Sequence, residues 1–212
     1  MATVPEHYHS WYYGEPVWTK TTFLGVLCLK SVSDMWNYQE VLAERKPSLV
    51  IEFGTYQGGS ALYFAEILKL VTPDARVLTV DVDHSGVGAA ARENQRIEFL
   101  QGDTTSAMVL ARIRELRQLH PGNIFVILDS DHHKDHVLKE LRQLREVTVA
   151  GDYVVVEDGN INGHPVLPDF GPGPYEAIEE YFLQYPDDYE SDQAREHKFG
   201  FTFAPKGFLI RR

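Results

Sequence analysis

The sequence predicts an α/β fold: a mostly parallel sheet with helices on both faces, closed by a C-terminal β-hairpin. Three observations carry that expectation. Short apolar runs recur at Leu49–Phe53, Val77–Val80, Ile97–Leu100, Ile124–Leu128 and Tyr153–Val156. Segments with a helical period fill the gaps, over 60–70, 87–95, 104–118 and 133–148. The runs are nearly continuous rather than alternating, as in parallel strands buried on both faces.

Each element then has its own justification. Residues 1–31 carry Tyr8, Trp11, Tyr12, Tyr13, Trp18 and Phe23 with no clear period. They are expected to form an arm packed on the core or on a neighbouring subunit, or a lid over a substrate. Ser33 or Asp34 is expected to cap a first helix that runs to Arg45, with Pro47 beyond it. The strand and helix alternation follows. Ala177, Ile178, Tyr181, Phe182 and Tyr185 make a further helical stripe. Phe199–Phe203 and Phe208–Ile210 flank Pro205-Lys206-Gly207 and read as the hairpin. Five parallel strands and a hairpin make a Rossmann-like seven-stranded mixed sheet. That is the order of class I methyltransferases, not of the symmetric dinucleotide fold. The expected division is an aromatic arm or lid at 1–31 and a methyltransferase domain at 32–212.

Composition limits the partners. A chain of 212 residues with 43% hydrophobic content suits one α/β domain, or one domain with an N-terminal extension. A formal net charge of -11 argues against nucleic acid and anionic membranes. The single cysteine, Cys28, excludes an intrachain disulfide and reads as a packing residue. No apolar run approaches the roughly 20 residues of a membrane span. The N-terminus has no basic stretch followed by an apolar core, so no signal peptide is read there and a cytoplasmic location is expected. Aromatic residues outside the core point to a homo-oligomer.

The cofactor side begins at Val50-Ile51-Glu52-Phe53-Gly54-Thr55-Tyr56-Gln57-Gly58-Gly59-Ser60. A strand ends in an acid, a glycine turn follows, and a helix begins. The glycine spacing is not GxGxxG. A carboxylate there repels phosphate but accepts an ammonium or hydroxyl, which favours S-adenosylmethionine over a dinucleotide. Asp81, with Asp83 nearby, follows the second strand and suits ribose hydroxyls; Asp103 follows the third and suits the adenine amine. Glu52, Gly54, Tyr56, Gly58, Gly59, Ser60, Asp81, Asp83, Asp103 and Asp129 form the candidate cofactor set. Asp103 could instead cap a helix starting at Thr104.

The fourth strand ends in Asp129-Ser130-Asp131-His132-His133, and the fifth in Glu157-Asp158. Adjacent strand ends therefore bring Asp129, Glu157 and Asp158 to one place, where mutual repulsion calls for a cation. Oxygen ligands favour Mg²⁺. A divalent ion beside a methyl donor suggests activation of a substrate hydroxyl. His132 is the candidate general base and His133 the second candidate. The i,i+4 pair His132 and His136 could alternatively hold Zn²⁺. Lys134, Asp135, Lys139 and Glu140 read as a solvated helix face. Residues 159–174, with four prolines and four glycines, are expected to wall the substrate, with His164 as a loop residue or contact.

Taken together, Glu52-Phe53-Gly54 through Ser60, Asp129 to His132, Gly151-Asp152-Tyr153, Glu157-Asp158 and Pro205 to Leu209 resemble the cephalosporin hydroxylase / rhamnosyl O-methyltransferase family. The similarity runs from about Trp11 to the C-terminus and includes Asp34 to Glu40. It implies a class I S-adenosylmethionine fold and a Mg²⁺ site on Asp129, Glu157 and Asp158. The chain also resembles metal-dependent catechol-type methyltransferases, which place the base three residues after the first metal acid, at His132 here; those enzymes carry a lysine there. The expected activity is methylation of a small-molecule hydroxyl: a secondary metabolite, a catechol or a sugar. The alternatives are a nucleotide-dependent oxidoreductase and a non-catalytic subunit that binds cofactor or metal.

Overall fold

The computed structural model describes residues 3–212. After α1 (Val4–Gly14), a short 3-10 turn (Val17–Lys20) leads to a two-stranded ribbon of β1 (Thr22–Phe23) and β2 (Val26–Leu27). Next come α2 (Val32–Arg45), β3 (Leu49–Phe53), α3 (Gly59–Val71), β4 (Arg76–Asp81), α4 (Ala89–Arg92) and β5 (Ile97–Gln101). The second half holds α5 (Ala107–Leu119), β6 (Ile124–Leu128), α6 (Lys134–Leu144), β7 (Tyr153–Val156), α7 (Pro174–Gln184), β8 (Tyr189–Ser191), α8 (Gln193–His197) and β9 (Phe208–Arg211). The sheet order is β5-β4-β3-β6-β7-β9-β8, with β9 antiparallel to both neighbours. This is the seven-stranded mixed sheet expected from the sequence.

Alternation within the strands explains the two-sided burial. Leu49, Ile51 and Phe53 of β3 face one layer with Ile113 of α5, Leu141 of α6 and Tyr181 of α7. Val50 of the same strand faces the other layer with Tyr38 and Leu42 of α2 and Phe64 and Leu68 of α3. Each such side chain contributes about 1.5–3 kcal/mol by leaving water. The chain order reverses between β3 and β6, which pair in parallel from Leu49↔Ile124 to Phe53↔Leu128. A crevice therefore opens beyond the carboxyl ends of these two strands.

Two local expectations are corrected. Phe199–Phe203 is not a strand; the antiparallel arm beside β9 is β8. The reason is Asp34, whose carboxylate accepts the Thr202 hydroxyl at 2.7 Å and the Phe203 N–H at 2.8 Å, in place of a strand partner. That also removes Asp34 from helix capping. The N-cap of α2 is Ser31, without a side-chain bond, and neither Ser33 nor Asp34 caps it. Burial pushes the Asp34 carboxyl up to about 7, with Glu157 adding to the shift and the two donors opposing it.

The N-terminal arm lies on the same segment. Thr3 and Glu6 close a capping box on α1. Tyr8 and Tyr12 pack on Phe201, while Tyr13 and Trp18 pack on Phe203.

Candidate functional site

A cavity of about 710 Å³ occupies the crevice. Its floor is the turn after β3. Gly54 has φ +95°, and a Cβ there would lie 1.9 Å from the Asp129 carbonyl oxygen. A Cβ on Gly59 would lie 2.2 Å from the carbonyl of Leu27. These glycines let the turn close against the end of β6 and against the N-terminal ribbon. Tyr56, at φ +49°, is half exposed and lines the cavity. Asp81 braces the turn, its carboxylate accepting the N–H groups of Thr55 at 2.8 Å and Tyr56 at 3.0 Å.

The candidate cofactor residues divide into three groups. Gly54, Tyr56, Gly59, Ser60, Asp81, Asp103 and Asp129 line the cavity. Glu52 lies fully buried beneath it, one oxygen accepting the Thr79 hydroxyl at 2.6 Å and the other without a partner. Burial drives its carboxyl up to about 7, against the pull of Lys30. Gly58 and Asp83 stand off the cavity wall; Asp83 holds the N–H and hydroxyl of Ser85. Asp103 does not cap a helix at Thr104. Helix α5 starts at Ala107 under Ser106, and Asp103 instead binds the N–H and hydroxyl of Thr105.

Beside the turn, at the ends of β6 and β7, Asp129, His132 and Asp158 each offer a ligand atom, all within 4.8 Å of one another. The His132 Nε2 is 3.5 Å from Asp158. Burial drives the Asp158 carboxyl up to about 7; His132 opposes that shift, and Asp129 and Glu157 reinforce it. Burial alone would lower the His132 pKa, but Asp158 and Asp129 hold it above the ordinary value. Glu157 is turned away from this trio. Its carboxylate accepts the Tyr38 hydroxyl at 2.6 Å and meets the Lys30 ammonium at 3.1 Å. The same ammonium is 2.5 Å from Asp129. His133 is exposed at the start of α6, bonded to Asp131 at 2.6 Å and tilted against Phe170.

Two groups were not read from the sequence. Lys30 is one; it sits in an aperiodic segment, and no pattern marks it. Glu140 is the other. It is not on a solvated face but fully buried, accepting the hydroxyls of Thr104 at 2.5 Å and Ser130 at 2.6 Å and contacting His136 at 3.1 Å. His136 is thereby committed to Glu140 and Thr104, not paired with His132. Its spacing carried the missed signal, since Glu140 is in phase with Val137, Leu141 and Leu144. Cys28 is buried, its thiol pushed up to about 12 by burial.

The loop after β7 closes one side through Ile161, Leu167 and Phe170. Glu176 anchors it, accepting Gly173 N–H at 2.7 Å, Asn162 at 2.9 Å and His164 at 2.9 Å. Burial alone would raise its pKa, but these bonds hold the carboxyl down to about 2. A depressed carboxyl stabilises above the unfolded value and loses that contribution as pH falls from about 4.5 toward 2. Glu176→Ala is expected to make residues 160–173 several-fold more susceptible to limited proteolysis at pH 7. The wild-type loop should become equally susceptible only near pH 2–3. Equal proteolysis at pH 7 would refute the anchor.

The sequence model of the family described as "Rhamnosyl O-methyltransferase/CmcI" matches residues 15–212. The chain belongs to this family. The chain is 57% identical over 208 residues to "Rhamnosyl O-methyltransferase" of Mycobacterium tuberculosis strain H37Rv, covering 98% of this chain and 85% of that one. The corresponding protein of Mycobacterium leprae is 55% identical over 210 residues, covering 99% and 91%. A solved structure described as "cmcI-D160 Mg-SAM" superposes with a TM-score of 0.74 at 21% identity, over 92% of this chain and 77% of that one, and shows the shared fold. The chain is thus an O-methyltransferase of the S-adenosylmethionine-dependent class, as the glycine turn and strand-end acids indicated. The oxidoreductase alternative is set aside. No helix among the described residues is long and apolar enough to cross a membrane.

The donor set of this family member fits a hard divalent cation in part. Asp129 and Asp158 converge with oxygens facing the cavity, whereas Glu157 would join them only by giving up Lys30. The partnerless buried oxygen of Glu52 fits an ammonium of an amino-acid moiety.

Proposed function

We propose that this chain transfers a methyl group from S-adenosylmethionine to a hydroxyl of a small molecule, assisted by Mg²⁺, and that the hydroxyl is carried by a sugar. The observation that carries this reading is the convergence of Asp129, His132 and Asp158 in the cavity, at the strand ends beside the glycine turn. The mycobacterial relatives named as rhamnosyl O-methyltransferases support the sugar acceptor. The neighbour described as holding Mg and SAM supports both cofactors.

The residues divide the work. Gly54, Gly59 and Ser60 let the turn and the start of α3 approach the donor, which supplies an electrophilic methyl group. Asp81 and Asp103 offer carboxylates at the ends of β4 and β5 for the donor's hydroxyls and amine. Asp129 and Asp158 would hold the cation, with Glu157 behind them. A bound divalent cation supplies positive charge that eases loss of the acceptor's proton. His132 takes that proton, and the neighbouring carboxylates favour its protonated form. Tyr13, Trp18, Leu167 and Phe170 exclude water and give an aromatic and aliphatic surface against which a sugar ring packs. In this reading the arm at 1–31 is also a lid, since Tyr13 and Trp18 belong to it. Exposed Trp11 and Trp36 support self-association, and the enzyme acts in the cytoplasm.

The test uses purified protein, calorimetry with S-adenosylhomocysteine, and mass spectrometry of products from a panel of rhamnosylated and other glycosylated acceptors. Binding without any methylated product would leave the non-catalytic reading. Turnover that survives chelation would remove the metal. His132→Ala is expected to lower turnover by about a hundredfold or more, with cofactor affinity unchanged. Unaltered turnover would exclude His132 as the base.

A further inference from the structure

Lys30 is 3% exposed, and its ammonium lies 2.5 Å from Asp129 and 3.1 Å from Glu157. A buried ammonium is tolerated only when its charge is matched. Asp129 and Glu157 supply that match. The segment that carries it is fixed. The Cys28 N–H donates to Thr21 at 2.9 Å, the Thr21 hydroxyl donates back to the Cys28 carbonyl, and Gly59 presses on Leu27. On its other side, Glu157 is held by Tyr38. Lys30 therefore pairs with Asp129 and Glu157, while His132 pairs with Asp158.

We propose that Lys30 is a resident counter-cation of the acidic site, competing with the divalent ion for Asp129 and Glu157 and confining it to the side where Asp158 and His132 stand. This rests on the metal reading above and goes further, because it names which part of the ligand set is already occupied. With Lys30 in place, its ammonium offsets part of the negative charge of Asp129 and Glu157 and repels a dication from the Glu157 side. The protein keeps its acids paired without the ion, and ion binding is weakened by the same charge. Removing the ammonium while keeping the stem exposes all three acids to the ion.

The experiment measures Mn²⁺ binding by electron paramagnetic resonance, with S-adenosylhomocysteine calorimetry on the same samples. Lys30→Met is expected to bind Mn²⁺ at least tenfold more tightly than the wild type. Lys30→Arg, which keeps the charge, should stay within about threefold of it. Ion-free Lys30→Met should melt below the wild type, and saturating Mn²⁺ should close that gap. Unchanged or weaker Mn²⁺ binding by a folded Lys30→Met overturns the proposal. If that variant does not fold without the ion, it is refolded from urea with and without Mn²⁺. Recovery only with Mn²⁺ supports the exchange of cations, and no recovery in either overturns it. Absence of Mn²⁺ binding in both wild type and variant overturns the proposal together with the metal half of the function. The calorimetry then reports separately on the cofactor half.

Discussion

Asp129→Ala is expected to lower methyl transfer about a thousandfold while leaving S-adenosylhomocysteine affinity within about threefold of wild type. The asymmetry follows from what this side chain touches. Its backbone N–H belongs to the sheet, donating to the Phe53 carbonyl at 2.8 Å, and the substitution leaves that bond intact. Its carboxylate faces Lys30 and the His132–Asp158 pair rather than the braced glycine turn. Once it is gone, Lys30 still has Glu157, so no buried cation is left alone. The loss falls on the acceptor side: one of the two cavity-facing cation ligands disappears, as does one of the charges that favour protonated His132. Turnover, calorimetry and a thermal melt on one preparation check this. A loss of cofactor binding as large as the loss of turnover would place Asp129 on the donor side instead.

Gly54→Ala is expected to destabilise the fold by about 3 kcal/mol or more. The added Cβ would lie 1.9 Å from the Asp129 carbonyl oxygen and 2.6 Å from its carbon, and the φ of +95° strains any L side chain. The obstruction is backbone, so no rotamer change relieves it. Relief requires the turn to lift from the end of β6, which pulls Thr55 and Tyr56 from Asp81 and opens the cavity floor. Urea unfolding should show an earlier midpoint, a melting temperature lower by roughly 6–12 °C, and weakened S-adenosylhomocysteine binding in the folded fraction. A variant with wild-type stability and affinity would refute the close approach.

The fold was legible because the strands are buried on both faces, and their apolar runs need no tertiary knowledge to be seen. The acids at the ends of β3, β4, β6 and β7 were legible for the same reason: each interrupts such a run. What stayed hidden were polar groups buried by partners far away in sequence. Asp34 stands in helical phase with Tyr38 and Val41, on the buried side of α2, but its partners Thr202 and Phe203 lie near the other end of the chain. Glu140 has the same character on α6. An acid in phase with the apolar face is the shared signal, and a cap or solvated face was the simpler assignment. Phe199–Phe203 has strand composition, yet Asp34 claims its backbone donor. Lys30 had no periodic neighbour at all, so its meeting with Asp129 and Glu157 exists only in three dimensions.

The stacking of the N-terminal arm on Phe201 and Phe203 has a consequence for biosynthesis. Tyr8, Tyr12, Tyr13 and Trp18 are separated in the chain from Phe201 and Phe203, the rings they rest on, by strands β3 to β8. Until Phe201 and Phe203 are made, these aromatics have only one another as partners. The arm's aromatic face thus stays uncovered while β3 to β8 are made, and Tyr13 and Trp18 take their place on the cavity wall only after that.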